Sequence, residues 1–253
     1  MILSRMLANR YRAGAVYLAA SVMVATAVFT LIYFIWYPRG LFETVGGLDL
    51  FLLIALVDVV VGPLLVTIIF VPGKAGLGFD LATIAVLQLV ALGYGLHVLY
   101  LSRPAYLVFV KDRFELVRAN EISDSERQKA ARYRDLPVFG PQIVGARVPA
   151  DPQEVTRIIF ASVGGVDLQH FPQHYVEYDS VRADVRSRAG RIARLRELNA
   201  DSAAEVNRVL GRLGRPEDQI AFLPFKADKR ELAALVDAKT AELITVAPLR
   251  PWN

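Results

Sequence analysis

The chain has no cysteine. That absence excludes disulfides, thiolate metal sites and cysteine nucleophiles, and it suits either side of a bacterial membrane. Histidine is scarce, with three residues in 253. Charge is scarce in one region only. Residues 1–102 hold five Lys or Arg and four Asp or Glu, against 24 and 21 in the remainder. A soluble protein of this length mixes its charges throughout, so the division reads as a membrane half followed by a water-exposed half. The second half is only mildly basic, which is weak ground for an anionic partner, and no nucleic acid is expected to bind.

Signatures of catalysis are missing as well. The glycines of loop 72–78 lack the Gly-Lys-Ser/Thr sequence of a phosphate-binding loop, and the chain carries no dinucleotide fingerprint. No serine lies in a nucleophile elbow. His170 and His174 have the i,i+4 spacing of a helical metal pair, but Pro172 lies between them and disrupts a helix interior. The residues therefore predict no catalytic site, no metal and no cofactor, and the protein is not expected to be an enzyme.

Three long apolar runs are present, at about 13–37, 48–71 and 81–101. Each reaches the roughly 20 residues needed to cross a bilayer. The first is too long for the ~7–15-residue core of a cleaved signal and ends in aromatic residues suited to the headgroup level, so it reads as a retained anchor. Arg5, Arg10 and Arg12 precede it, whereas Arg39 is offset by Glu43 in the next loop and Lys74 by Asp80 in the one after. Excess Lys and Arg stay in the cytoplasm. The N-terminus is thus expected inside and residues 103–253 outside, which in a bacterium is the periplasm.

The second run carries Asp58, followed by Gly62 and Pro63. At ~1.5 Å per residue Asp58 falls near mid-bilayer, level with Thr26 and Tyr94 and close to His97. Pro63 removes a helix hydrogen bond and predicts a bend beside Asp58. Two readings remain open. Asp58 is either buried inside the bundle, protonated or hydrogen-bonded to Tyr94, His97 or Thr26, or it faces a groove that receives a partner's transmembrane helix. That groove would be formed around Asp58, Gly62, Pro63, Tyr94 and His97. A proton or ion pathway is disfavoured, because a relay needs more ionisable groups than one carboxylate and one histidine. Gly93 and Gly95 read as sites where helices approach closely.

After the membrane the chain reads as α+β. Two strand-like runs, AYLVFV and RFELVRA, flank Lys111–Asp112 as a hairpin. Ser123 and Glu126 form a capping box for a short helix to about Tyr133, and Asp151, Pro152 and Glu154 open another that ends at Gly164–Gly165. A helix is expected over 179–198 with Val181, Val185, Ala189, Ile192 and Leu195 on its buried stripe. Arg188 falls near the centre of that stripe without an explanation. A helix over 201–213 and the late strands QIAFLPF and ELAALVDAKTAELITVAPL follow, the last folded at 237–240. One antiparallel sheet is expected to join early and late strands.

Some of these residues resemble a known family. WYP and a following LF at 36–42, the pair Gly46–Gly47, VD…GPL at 57–64 and F-x-P-G-K at 70–74 come first. Asp80, Gln88, Tyr94–Gly95, Arg103–Pro104 and the run 112–115 continue the series. In that order and spacing they resemble the TfpX/TfpZ-type IV pilin accessory proteins. The close match covers roughly residues 30–122, and beyond it only PLRPW at 248–252 looks familiar. The resemblance implies an inner-membrane protein that helps type IV pilin accumulate or assemble without being a fibre subunit. Its implied partners are pilin, the inner-membrane pilus assembly components and the lipid bilayer. A rival reading is a membrane-anchored periplasmic sensor or regulatory subunit, which would need a separate partner, since its expected cytoplasmic parts are about twelve residues and one short loop.

Overall fold

The computed structural model describes residues 2–228 and 230–252, and the side chains of residues 2–8 lie outside that description. Arg5, one of the three arginines behind the expected orientation, is among them. The chain divides into two units. The first comprises residues 1–35 and 46–101; the second comprises residues 36–45 and 102–253.

The first unit holds three helices long and apolar enough to cross a membrane, Asn9–Trp36, Gly47–Ile69 and Leu77–Leu101. Most of their surface faces outward, as suits side chains solvated by lipid. The first helix turns its buried stripe, Gly14, Ser21, Val28 and Ile32, toward its neighbours. These positions recur at seven and four residues, the spacing that keeps one face of a helix in contact. Where that helix meets the second, the Arg10 guanidinium donates to the Phe70 carbonyl at 2.8 Å and closes the open end of the second helix. Lys74 and Asp80 pair at 2.5 Å across the following loop.

The second unit is built on one sheet with strand order β4-β3-β1-β2-β6-β7-β8. Its strands are β1 Pro104–Val110, β2 Arg113–Arg118, β3 Gln142–Ala146, β4 Tyr175–Glu177, β5 Gly190–Arg191, β6 Ile220–Ala227, β7 Arg230–Asp237 and β8 Leu243–Ala247. The short β5 pairs with β6 off the main path. The sheet is largely antiparallel, as the sequence suggests, but β1–β3 and β2–β6 pair in parallel. Both parallel joins follow long connections, which a hairpin cannot provide and a crossover can. β1 is buried along its whole length, which accounts for its unbroken apolar run.

Two cores flank the sheet. One gathers Tyr106, Val108, Val144, Ile158, Phe171 and Tyr175 beneath the helix Pro152–Val163. The other gathers Leu195, Val206, Leu210, Phe222, Leu235 and Leu249 beneath the helices Ile192–Leu198 and Ala203–Leu213. The expected 179–198 helix is broken. Its first part ends at Arg188, and Gly190 enters the sheet opposite Phe222 before a second helix begins at Ile192. Arg188 therefore never lies on a continuous stripe, and it is exposed. The helix after Ser123 also stops early, at Lys129.

Residues 36–45, which join the first and second spanning helices, belong to the second unit. The Arg39 carbonyl accepts from the Val246 amide at 2.9 Å and from the Thr245 hydroxyl at 3.1 Å. The Arg230 guanidinium donates to the Thr44 carbonyl at 2.6 Å. Gly40 sits at φ +80° with the place of a Cβ only 2.5 Å from the Val246 carbonyl, so only glycine fits there. This segment covers part of β8, the outermost strand on that side of the sheet, and Tyr37, Leu41 and Phe42 are buried.

Candidate functional site

Asp58 lies eleven residues from either end of the second spanning helix. A carboxylate at that depth costs ~2.5–3.5 kcal/mol on insertion scales. The helix is not regular there. Leu56–Val61 forms a π-helical turn, in which the Gly62 amide donates to the Val57 carbonyl five residues back. Pro63 has no amide to donate, and its ring would strike the carbonyl four residues earlier in a regular helix, so the widened turn absorbs both effects. The bend expected beside Asp58 takes this form.

The polar groups around this turn differ from those that depth alone suggests. The Tyr17 hydroxyl of the first helix bonds the Gln88 side-chain oxygen of the third. Gln88 also reaches the Val57 carbonyl of the second helix with its nitrogen, at 3.5 Å. Gly62 makes room for it: a Cβ on Gly62 would lie 2.7 Å from Cδ of Gln88. Tyr17, Gln88, Val57 and Gly62 thus tie the three helices together, and Val57 and Gly62 are close to Asp58 in sequence. Among the described residues no side chain makes a hydrogen bond to the Asp58 carboxylate.

The predicted partners lie elsewhere. Thr26 donates to the Val22 carbonyl of its own helix and is exposed. His97 is exposed and does not line the space next to Asp58. Tyr94 does line that space but is 70% exposed. The reason is azimuth. Depth arithmetic finds residues at one level, and helix rotation decides which of them face each other. Gly95 meets Ile54, whose Cγ1 lies 3.0 Å from the place of a Cβ, whereas Gly93 has nothing within 4 Å and is not a packing site.

Asp58 opens instead onto a groove of about 200 Å³ between the second and third helices. Its walls include Leu53, Ile54, Val57, Leu92, Tyr94 and Gly95. Of the five predicted site residues, the groove therefore unites Asp58 with Tyr94, Gly62 and Pro63 are buried behind it, and His97 falls outside. Asp58 is 7% exposed, and among the described residues it is the only carboxylate in the lining.

The second unit has its own polar cluster. Arg157 bridges Glu126, at 2.8 and 3.1 Å, and Glu154, at 2.9 and 2.5 Å. Gln173 donates to Glu126 at 2.7 Å and the His174 ring meets Glu154 at 3.0 Å. The Arg157 guanidinium, helped by His174, holds the Glu154 carboxyl down at about 2. His170 turns elsewhere, its Nδ1 accepting from the Asp167 amide, and burial lowers its pKa. The two histidines therefore serve different partners, and among the described residues no group of three or more His, Asp or Glu is placed to hold a metal. Sequence reading missed this cluster, whose members come from three separate stretches of chain.

The chain is 30% identical over 213 residues to a fimbrial assembly protein of Dichelobacter nodosus, serogroup E1, a match covering 83% of each chain. The serogroup I protein of the same organism matches to the same extent. A shorter one, of serogroups C1 and C2, is 36% identical over 112 residues, which is 44% of this chain and 86% of that one. No family model matches the chain, and no solved structure matches it.

Proposed function

The chain belongs to the family of the fimbrial assembly proteins, and from that premise we propose that it serves pilus assembly as an inner-membrane accessory or chaperone protein. In this reading it binds and stabilises type IV pilin and catalyses nothing. The observation that carries the proposal is the extent of the similarity. A match over 213 residues is longer than either unit of the chain, so the likeness includes both. A client with a membrane helix and a soluble head needs a binder with both parts.

The groove beside Asp58 is the place proposed for the client's membrane helix, and the outer unit is proposed to contact its head. The N-terminus lies in the cytoplasm and the outer unit in the periplasm, a reading supported by Arg10 and Arg12. Three crossings put segment 36–45 and residues 102–253 on one side, which agrees with their packing in one unit.

Photo-crosslinking in living cells tests this, from Tyr94 in the groove and from exposed positions of the outer unit. Pilin is expected among the main products from both units. Products limited to other assembly components, or no product, would overturn the chaperone reading and favour a regulatory subunit. An unchanged mass of pilin with and without the protein is expected as well, and a shifted mass would overturn the non-catalytic part.

A further inference from the structure

Asp58 poses a question that the bundle itself does not answer. Its carboxylate is nine-tenths buried at the middle of a spanning helix, yet among the described residues it has no hydrogen-bond partner. The nearby polar groups are engaged with each other: Tyr17 donates to Gln88, and Gln88 turns its nitrogen to the Val57 carbonyl. What is left of Asp58 faces the groove, whose other walls are apolar apart from Tyr94. Lipid tails fill apolar grooves without difficulty but have nothing to offer a carboxyl group.

We infer that the groove selects its occupant by chemistry: it takes a partner's transmembrane helix that carries a hydrogen-bond donor, a hydroxyl, amide or ammonium, near the middle of its span. This rests on the proposed reading that a client helix enters the groove, and it adds what that helix must present. The donor meets the Asp58 oxygen at a depth where neither finds water. Leu53, Ile54 and Leu92 pack the apolar side chains one turn to either side. The π-helical turn is part of the device, because it sets the phase at which Asp58 meets the groove while Gly62 faces Gln88. A helix without a central donor leaves the carboxyl unsatisfied and is held less well.

The test uses the full chain in its own membrane, with a benzoylphenylalanine photo-crosslinker in place of Tyr94. The expected product is a foreign transmembrane segment with a donor side chain near its midpoint. Asp58→Leu, similar in size, should cut the yield about three- to tenfold, the range for one interhelical hydrogen bond in a bilayer. Asp58→Asn keeps an acceptor oxygen and should restore most of it. Leu53→Trp, which fills the groove from its exposed wall, should remove the product with Asp58 in place. If Asp58→Leu fails to accumulate, replacing the donor on the partner by alanine must produce the same loss against the unaltered chain.

An unchanged yield in Asp58→Leu and in the partner's alanine variant overturns the inference. So do a captured helix without a donor and products limited to lipid or to a second copy of this chain. The two proposals separate cleanly. Pilin captured regardless of Asp58 leaves the chaperone reading standing and removes this one. A donor-bearing helix of some other protein, captured only with Asp58, does the reverse.

Discussion

Gly62 and Gln88 carry more of the membrane unit than their types suggest. The missing Cβ of Gly62 is the space in which the Gln88 amide sits, and that amide connects all three helices. Gly62→Leu should therefore expel Gln88, break its bond to Tyr17 and destabilise the unit by about 1–3 kcal/mol, the usual cost of overpacking. Gly93→Ala should change stability by less than about 0.5 kcal/mol, since Gly93 faces open space. Unfolding of both variants in detergent micelles checks the contrast, and equal losses would remove Gly62 from its role. Asp58 was legible in the sequence as an anomaly because a charged group in an apolar run needs no fold to be noticed. Its surroundings were not legible. Tyr17 sits about one turn from Gly14 and from Ser21 on the first helix, a stripe of small and polar residues that marks the packed face and was the signal available.

At the scale of elements, local chemistry was readable wherever it decides the outcome locally. Ser123 caps its helix by accepting from the Glu126 amide, Asp151 does the same for the helix that Pro152 opens, and Asp237 accepts from Lys239 and Thr240 to close the last hairpin. The 179–198 helix failed because its apolar spacing continues through Gly190, while Phe222 and the strand pairing of β6 claim that residue from a distance in sequence. β3 and β4 were missed because each is short and paired with strands far along the chain. The π-helical turn is likewise implied by Pro63 only as an irregularity of unknown form. Regularising it by Pro63→Ala should re-phase the two ends of the second helix by up to about 100°, the step of one residue in an α-helix. Cysteines replacing Ile54 and Gly95 report this without interference, because the chain has none of its own. They should couple readily with Pro63 and several-fold less in Pro63→Ala; equal coupling would mean that Pro63 does not set the phase.

At the scale of the whole molecule, the boundary between membrane and outer parts is not a single cut. A division at residue 102 looks natural from charge, and the three spanning helices and the α+β domain were both legible that way. Segment 36–45 was not, because its neighbours in sequence are apolar while its partners, Val246, Thr245 and Arg230, lie some two hundred residues further on. Residues 102–253 expressed alone should therefore be less stable than the outer unit of the intact protein. Supplying segment 36–45 through a short N-terminal linker should raise its melting temperature by several degrees, as an edge covered by one main-chain bond, two side-chain bonds to its carbonyls and buried aromatic side chains implies. A fragment equally stable with and without the segment would make the contacts incidental.

That stitching also sets an order of events during synthesis. The Arg39 carbonyl leaves the ribosome 206 residues before the Thr245 hydroxyl it will accept from, so the second unit cannot finish until its last strand arrives. By then all three spans have had to take their places. A chain whose second or third helix inserted wrongly would carry its two halves of this joint to opposite sides of the membrane. Its sheet would then keep a bare edge, open to proteases. Completion of the fold is thus expected to require correct insertion, and protease resistance of the last strand in wild-type and misinserted chains would report it.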